Sequence, residues 1–163
     1  MPQPKGREKL EFVKFSPAPE GDVEYDDYKG SFQLRNPQVK VATSQGDGSG
    51  ANIAPLEFQF NMGHVDAETF ISLCRDNKKT VKSLKYTSTQ VYEGKREKKA
   101  DITYSELTIK SAVSMPNTGE DGVTVMLTIE YDMADGKLTQ YKPDGTVDKS
   151  MPIKIDLRKG KYA

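Results

Sequence analysis

The sequence predicts a mostly β fold, a small antiparallel β-barrel with one flanking α-helix, and two patterns carry that prediction. Residues 123–132 alternate apolar and polar side chains with the period of two that is typical of a half-buried strand. The apolar positions are Val123, Val125, Leu127, Ile129 and Tyr131. Residues 66–76 predict an amphipathic helix, because apolar side chains recur at i, i+3, i+4 and i+7. That stripe consists of Ala67, Phe70, Ile71 and Cys74, with Leu73 at its margin.

Length and charge limit the architecture and the partners. With 163 residues and 18.2 kDa, the chain has room for one domain with a core and not for two ordinary ones. It carries 24 basic and 24 acidic residues, so no net field draws it toward nucleic acid or an anionic membrane. Only 35% of the residues are hydrophobic. Either a partner covers part of the surface, or the chain is a solvated β-domain with charged loops.

The sequence carries no pattern of a membrane span, a signal peptide or a disulfide framework. No apolar run approaches the roughly 18 residues of a membrane span, and MPQPKGREKL contains no apolar signal-peptide core. We therefore expect a protein made in the cytoplasm, for which any export uses another route. Cys74 is the single cysteine, which excludes an intramolecular disulfide. Its place on the helix stripe predicts a small buried hydrophobe.

The N-terminal part gives weaker signals. Residues 1–8 are polar with two prolines and are expected to form a flexible tail. Residues 9–15 (KLEFVKF) alternate as a strand, and an acidic, tyrosine-bearing loop follows at residues 16–30. Residues 31–42 look like a strand interrupted at Pro37, and the missing amide places that strand at an edge or a bulge.

Residues 43–54 (TSQGDGSGANIA) are the longest segment inside the domain without a strand or helix pattern. The segment has three glycines, and Asp47 is its only charge. Compact domains rarely keep a loop of about a dozen residues without a purpose. Two interpretations remain open: a solvated linker, or an extended loop that orders only against another subunit. A short strand is predicted directly after it, at residues 55–61.

The helix leads into a long predicted hairpin. Asp66 stands where a helix N-cap is expected. Strands at residues 80–92 and 100–115 are joined by a hairpin tip, EGKREKKAD. In the returning strand the apolar alternation slips by one position between Tyr104 and Leu107, which predicts a β-bulge. Leu107, Ile109 and Val113 are then expected on the buried face.

Turn sequences divide the C-terminal part. NTGEDG at residues 117–122 and DMADG at residues 132–136 predict turns, the second leading into a short strand at residues 137–141. The Pro-Asp-Gly run at residues 143–145 predicts a tight turn. Residues 152–157 (PIKIDL) alternate as a closing strand. The total is seven or eight strands and one helix.

Side chains that could perform chemistry are few. His64 is the only histidine, which leaves no zinc-ligand spacing and no partner for a serine or cysteine nucleophile. GDGSG lacks the context of a nucleophile elbow or a phosphate loop, and the acidic turns lack the ligand pattern of a calcium loop. Lys95, Arg96, Lys98 and Lys99 are diluted by acidic neighbours and indicate a solvated hairpin tip. The sequence therefore predicts no catalytic, metal or cofactor-binding residues.

The order of elements is similar to that of a known family. The run PLEFQFNMGHVDAETFISLCRDNKKTVKSLKYTSTQVY, followed by DITYSELTIKSAVSM and VTVMLTIEYDMADGKLTQYKPDG, resembles the Hcp family. Hcp is the tube-forming protein of type VI secretion and is related to phage tail tube proteins. In that family an aspartate introduces the helix, here Asp66, and a basic linker follows, here residues 77–79. The alternating strand then closes on a tyrosine and an Asp-Gly turn, here Tyr141 and residues 144–145.

The resemblance implies a structural subunit and not an enzyme. Hcp subunits pack as hexameric rings that stack into a hollow tube. A contractile sheath propels the tube, a spike forms its tip, and effector proteins are delivered through it. It also implies cytoplasmic assembly, then secretion to the extracellular space or a target cell through the machine, without a signal peptide. A protruding loop that contacts the next ring lies between the second and third strands of the family. Here that position holds Gln45, Gly46, Asp47, Gly48, Ser49, Gly50, Ala51 and Asn52.

Other functions stay open on the residues alone. A barrel of eight strands can hold one small ligand, so a monomeric module that binds a ligand or a peptide is one alternative. A tail tube protein of another contractile injection particle is a second. An enzyme built on carboxylates would need a pocket that raises the pKa of an Asp or Glu. None of the leading interpretations calls for a cofactor, a nucleic-acid partner or direct membrane insertion.

Overall fold

The computed structural model shows a nearly closed barrel built mainly from one antiparallel sheet. It describes residues 9–17, 20–21, 23–24, 26–34, 44–45, 52–53, 55–75, 81–116, 122–157 and 161–162. The predicted tail at residues 1–8, most of the predicted strand at residues 31–42, and residues 117–121 of the predicted turn lie outside these ranges.

Ten strands and one α-helix follow one another in the described residues. The strands are β1 (Leu10–Pro17), β2 (Phe32–Gln33), β3 (Ser44–Gln45), β4 (Asn52–Ile53), β5 (Leu56–Met62), β6 (Val81–Tyr92), β7 (Lys95–Pro116), β8 (Val123–Tyr141), β9 (Val147–Asp156) and β10 (Lys161–Tyr162). The helix α1 (His64–Arg75) lies between β5 and β6, and a short 3₁₀ helix forms at Asp26–Tyr28. The predicted mostly β composition with one helix is confirmed.

Strand β8 organises the sheet, whose order is β10-β9-β8-β7-β6-β1-β2. One side of β8 pairs with β7 along most of its length. Its other side is shared, because β5 pairs with residues 123–129 and β9 pairs with residues 133–141. Every ladder is antiparallel. The predicted antiparallel architecture is therefore confirmed, with β8 as its spine.

Aromatic rings close the barrel at the seam between β2 and β5. In the described residues these two strands share no ladder, but Phe32 of β2 stacks on Phe60 of β5 with the ring centroids 4.6 Å apart. Phe15 of β1 and Phe70 of α1 meet Phe32 edge-on, at 5.9 Å and 5.8 Å. Edge-to-face and offset contacts of this kind are the favoured arrangements of aromatic pairs. Side-chain packing therefore takes the place of main-chain hydrogen bonds at the seam.

Large side chains fill the interior of the barrel. The fully buried set includes Phe58, Leu84, Tyr86, Ile102 and Tyr104. These side chains come from β5, β6 and β7 and belong to one continuous apolar cluster. Because the space inside the sheet is occupied by side chains, the barrel is a packed core, as in other small barrels.

Strand β1 is buried on both faces, which explains its weak sequence pattern. Val13 points into the main core, while Leu10 and Phe12 form a second cluster with Val23. The ring of Tyr28, from the 3₁₀ helix, stacks on Phe12 with the centroids 4.5 Å apart. The acidic segment before β2 therefore folds over the outer face of β1, and simple alternation is lost.

Helix α1 buries the predicted stripe of Ala67, Phe70, Ile71 and Cys74 and leaves Leu73 half-buried. The predicted N-cap at Asp66 is wrong. The Ala67 amide donates to the Gly63 carbonyl at 2.9 Å, so the helix starts at His64 and Gly63 takes the N-cap position. Glycine is tolerated at an N-cap. Asp66 instead lies in the first turn, where a carboxylate interacts favourably with the helix dipole.

The predicted turn at residues 132–136 is also wrong, because β8 runs through it without a break. Gly136 pairs with Ile102 on one side and with Ile153 on the other. A Cβ atom at this position would lie 2.2 Å from the carbonyl oxygen of Asp101. Glycine is therefore needed for the close approach of two backbones and not for a turn. Pairing on both sides overrides the turn-like composition.

The predicted hairpin tip, EGKREKKAD, contracts to two residues. Tyr92 pairs with Lys95, which leaves Glu93 and Gly94 as the turn. Their φ angles of 48° and 77° are both positive, as a type I′ turn requires. The basic residues that follow belong to β7. A glutamate in the left-handed region is uncommon, so the sequence did not indicate so short a turn.

Strand β7 changes its buried face near Glu106, as predicted, but no residue is inserted there. The ladder pairs on either side, Ser105↔Met133 and Leu107↔Tyr131, keep one register. Glu106 itself has a φ of 54°. A left-handed residue, and not a bulge, accompanies the change of face.

The bulge lies further along β7, between Ile109 and Ser111. After it the half-buried position is Ala112, whereas Val113 is 50% exposed. The prediction that Val113 lies on the buried face is therefore wrong, because the extra residue at the bulge reverses the alternation.

The predicted turn at residues 143–145 is confirmed. The Gly145 amide donates to the Lys142 carbonyl at 2.9 Å. The amide and the hydroxyl of Thr146 both donate to Asp144 Oδ1, at 2.9 Å and 2.7 Å. These hydrogen bonds lower the pKa of the Asp144 carboxyl. Strand β9 begins directly after this turn, earlier than predicted, and its apolar side chains at 153 and 155 are buried as expected.

Candidate functional site

The Gly-rich loop is anchored by a two-residue ladder. Ser44 pairs with Ile53 and Gln45 with Asn52, which makes β3 and β4 a separate small sheet. The segment predicted to have no regular structure therefore has a hairpin base. The predicted loop residues Gly46, Asp47, Gly48, Ser49, Gly50 and Ala51 lie outside the described residues. The ladder brings Gln45 and Asn52 of the predicted set together.

The candidate chemical groups do not converge. His64 is exposed at the start of α1. Cys74 is 4% exposed on the buried side of the helix, and burial raises the pKa of its thiol to about 12. A thiol held neutral at physiological pH is a poor nucleophile. In the described ranges no group of three or more His, Cys, Asp or Glu residues is arranged to hold a metal ion.

The basic residues of the β6–β7 hairpin are engaged with neighbours of the same hairpin. Lys95 lies 3.7 Å from a Glu97 oxygen, and Lys98 lies 3.6 Å from an Asp101 oxygen. Lys99 donates to Gln90 at 3.2 Å, and burial, followed by the nearby Lys9, lowers its pKa. Paired cations on a strand do not form the continuous positive groove that single-stranded nucleic acid requires.

A polar cavity of about 390 Å³ lies on the outer face of β7 and β8, beside the 3₁₀ helix. Its lining mixes three basic side chains with three acidic ones: Arg96, Lys98, Lys137, Asp27, Glu97 and Asp101. Tyr28 borders it, and burial, then the Asp27 charge, raise the pKa of its phenol. Asp101 is already shared by two lysines, at 3.5 Å and 3.6 Å. The cavity therefore has matched charges.

A second cavity, of about 340 Å³, lies between the first turns of α1 and the β2–β5 seam. Phe32, Phe70 and Leu73 form its apolar wall, and Asp66 and Glu20 border it.

In the described residues no helix is long and apolar enough to cross a membrane.

Besides the β2–β5 seam, two long strand edges are unpaired in the described residues, and they lie on opposite sides of the sheet. Residues 107–116 of β7 pair with β8 on one edge, and in the described ranges they have no ladder on the other. Within the same ranges, residues 147–154 of β9 pair only with β8, because β10 reaches only Ile155 and Asp156. An unpaired edge presents amide and carbonyl groups that can pair with another chain.

The same two edges carry exposed apolar side chains. Val113 and Met115 on β7 are 50% and 47% exposed, and Val147 and Met151 on β9 are 58% and 54% exposed. Exposed apolar groups on an edge strand favour association with another strand. The sequence analysis placed Val113 on the buried face and did not single out the other three residues. These side chains continue the apolar alternation of β7 and β9 past the point where the core ends. A search for that pattern alone assigns such positions to the buried face.

Comparison with known proteins establishes the fold. No protein-family model and no curated protein sequence matches the chain. A solved structure described as a type six secretion system protein aligns with a TM-score of 0.75 and 13% identity, covering 94% of this chain and 99% of that one. Hcp1 from Salmonella typhimurium aligns with a TM-score of 0.71 and 11% identity, covering 95% and 99% of the two chains. The chain has the Hcp fold.

A third structure extends the likeness across species. The secreted protein Hcp3 from Pseudomonas aeruginosa aligns with a TM-score of 0.55 and 7% identity, covering 90% of this chain and 97% of that one. The Hcp fold therefore spans nearly the whole described chain, well beyond the residues 55–145 that carried the sequence resemblance. The fold implied by that resemblance is confirmed.

Proposed function

We propose that this protein is a non-enzymatic tube subunit of a type VI secretion system, which forms hexameric rings that stack into a hollow tube for effector delivery. The observation that carries the proposal is the pair of unpaired strand edges on opposite sides of one sheet, in a chain with the Hcp fold. The tube would assemble in the cytoplasm, inside a contractile sheath with a spike at its tip, and leave through the machine.

Edges on opposite sides favour a ring over a symmetric dimer. If β9 of one copy meets β7 of the next, the contact is heterologous, and each copy keeps one edge of each kind for its neighbours. Heterologous contacts close into rings when the rotation between copies allows it. The exposed Val113 and Met115 of β7, and Met151 of β9, would then be covered by the neighbouring copy.

Lysine substitutions on the edges test the proposal. Met115→Lys and Met151→Lys should each abolish rings and leave a folded monomer, because a charge on an edge strand blocks strand addition. Val65→Lys is the control, since Val65 is 79% exposed on α1 and belongs to neither edge. Rings would be scored by negative-stain electron microscopy and by light scattering against the 18.2 kDa monomer. Purified wild-type protein that stays monomeric at high concentration would contradict the proposal.

The Gly-rich loop is proposed to contact the next ring. Its base is the ladder of β3 and β4, from which residues 46–51 continue. Deleting Gln45 to Asn52 should leave the rings intact and shorten or abolish stacks in electron micrographs. If the deleted chain fails to fold, as judged by circular dichroism, the segment is internal structure and not a contact loop.

The monomeric binding module is the weaker candidate. The barrel interior, where such a protein holds its ligand, is filled by side chains such as Phe58, Tyr86 and Tyr104. A tail tube protein of another contractile particle would share the same fold and edges. A gene for a secretion-type sheath and its membrane complex beside this one would favour the secretion system.

A further inference from the structure

The polar cavity on the outer face of β7 and β8 has two walls that are distant in sequence. The 3₁₀ helix contributes Asp27 and Tyr28 to one wall, and β8 contributes Lys137 and Thr139 to the other. Tyr28 stacks on Phe12 of β1, and β7 and β6 separate β1 from β8 in the sheet, so the walls lie on opposite sides of the cavity. The volume of about 390 Å³ is that of a small-molecule site.

The floor of this cavity, formed by β7, is held by contacts within the protein. Asp101 lies 3.6 Å from Lys98 and 3.5 Å from Lys85. The Arg96 guanidinium donates to the Thr89 hydroxyl at 2.8 Å. These contacts hold the charged side chains of β7 in place, so the floor shapes the cavity without needing a ligand.

The two walls differ from the floor, because each carries a charge that the protein does not pair. No ion pair or side-chain hydrogen bond joins Asp27 or Lys137 to another described residue. Both side chains are exposed. An anion and a cation that border one cavity without meeting each other offer two charged contacts to a third molecule.

The phenol of Tyr28 shows that these charges act on a common space. Burial, and then the Asp27 charge, raise the pKa of Tyr28; Arg96 lowers it, and Asp101 and Glu97 raise it further. Charges of the 3₁₀ helix and of β7 therefore influence the same side chain. The Tyr28 hydroxyl borders the cavity, where it can donate or accept a hydrogen bond.

We propose that this cavity binds a small zwitterion, a molecule with one ammonium and one carboxylate group, with the ammonium on Asp27 and the carboxylate on Lys137. Such a molecule matches the charges of both walls and leaves the charge-balanced cavity neutral. A singly charged ligand would be attracted by one wall and repelled by the other. This site goes beyond the proposed tube function and does not depend on assembly.

Binding of defined probes is the first test. The zwitterionic probes are β-alanine, γ-aminobutyrate and ε-aminocaproate, which differ in the distance between their charges, and propanoate and propylamine each carry one charge. Saturation-transfer difference NMR detects weak ligands even on a large assembly. At least one zwitterion should bind with a Kd on the order of 1 mM, about tenfold or more tighter than either singly charged probe. No binding by any zwitterion, or equal binding by a singly charged probe, would overturn the proposal.

Neutral variants test each wall. Lys137→Gln and Asp27→Asn should each weaken zwitterion binding by about tenfold or more, because each removes one charged contact. Lys154→Gln and Asp132→Asn are the matched controls, since they neutralise exposed charges that do not line the cavity, and they should leave the Kd unchanged. Circular dichroism would establish that all four variants are folded. An unchanged Kd in either wall variant, or an equal loss in the controls, would contradict the proposed site.

Exchange of the two charges supplies a rescue. Asp27→Lys and Lys137→Glu should each abolish binding alone, because both walls then carry the same sign. The double variant should recover binding to within about threefold of the wild type, since a zwitterion can bind in the opposite orientation. A double variant that binds no better than the single variants would sink the idea that both walls hold one ligand. Rings and stacks are scored separately by electron microscopy, so none of these outcomes decides the tube function.

Discussion

Tyr86 and Tyr131 are both buried tyrosines, and they differ in the hydrogen bonding of their hydroxyl groups. The Tyr86 hydroxyl donates to Glu11 Oε1 at 2.7 Å. The Tyr131 ring packs edge-on against Tyr104, with the centroids 4.7 Å apart, and its buried hydroxyl has no hydrogen-bond partner among the described residues. Burial raises the pKa of both phenols, and the Glu11 charge adds to the effect at Tyr86. A buried hydroxyl without a partner loses its hydration without compensation.

We therefore expect Tyr131→Phe to leave the free energy of unfolding unchanged or to raise it by up to about 1 kcal/mol. Tyr86→Phe is the matched control and should lower it by about 1–2 kcal/mol, because a partly buried carboxylate loses its donor. Urea denaturation followed by circular dichroism measures both. A loss above about 1 kcal/mol for Tyr131→Phe would show that its hydroxyl has a partner.

At the scale of single elements, the β6–β7 hairpin has a favourable turn geometry but an unfavourable residue at the first of its two turn positions. Both turn residues have positive φ, which glycine accepts at position 94 without cost. Glu93, with a φ of 48°, adopts the left-handed region that side chains with a Cβ disfavour. Asparagine is the residue most often found before glycine in such turns.

Glu93→Asn should raise the free energy of unfolding by about 0.5–1 kcal/mol, since asparagine tolerates the left-handed region better. Glu93→Ala serves as the control, because it removes the same charge and keeps the strain. Thermal melts of the two variants and the wild type give the comparison. Equal stability of the asparagine and alanine variants would mean that backbone strain at this turn contributes nothing.

On the scale of the whole molecule, side chains close the barrel between β2 and β5, which share no ladder in the part of the chain that the structure describes. Phe60 contacts Phe15, Phe32 and Phe70, with centroid distances of 6.4 Å, 4.6 Å and 5.4 Å, and its side chain is fully buried. The ring therefore joins β5, β1, β2 and α1 in one contact. The stability of the seam should depend on it.

Phe60→Ala is expected to lower the free energy of unfolding by about 3–5 kcal/mol, the usual cost of emptying a buried aromatic site. Val65→Ala, at an exposed position of α1, should change it by less than about 0.5 kcal/mol. Denaturation should be followed at low protein concentration, because assembly stabilises the folded subunit. A cost below about 1 kcal/mol for Phe60→Ala would show that the seam does not rely on this ring.

Local periodicity was enough to predict several elements. The alternation through Ile129 and the stripe through Phe70 are decided by which side chains must leave water, so the strand, the helix and their buried faces could be predicted from the sequence. The turn at residues 143–145 was predictable for a similar reason, since proline, aspartate and glycine satisfy its backbone locally. The mostly β class, and the resemblance that led to the fold, rest on these local signals.

Tertiary structure decided what local signals cannot specify. Gly136 lies inside a strand because two neighbouring backbones approach it, and the sequence around it carries no record of those neighbours. Among the described residues, the edges at 107–116 and 147–154 are unpaired because of where β6 and β10 end. Pairing and placement are relations between distant segments, so the assembly surfaces could be recognised only in the folded chain.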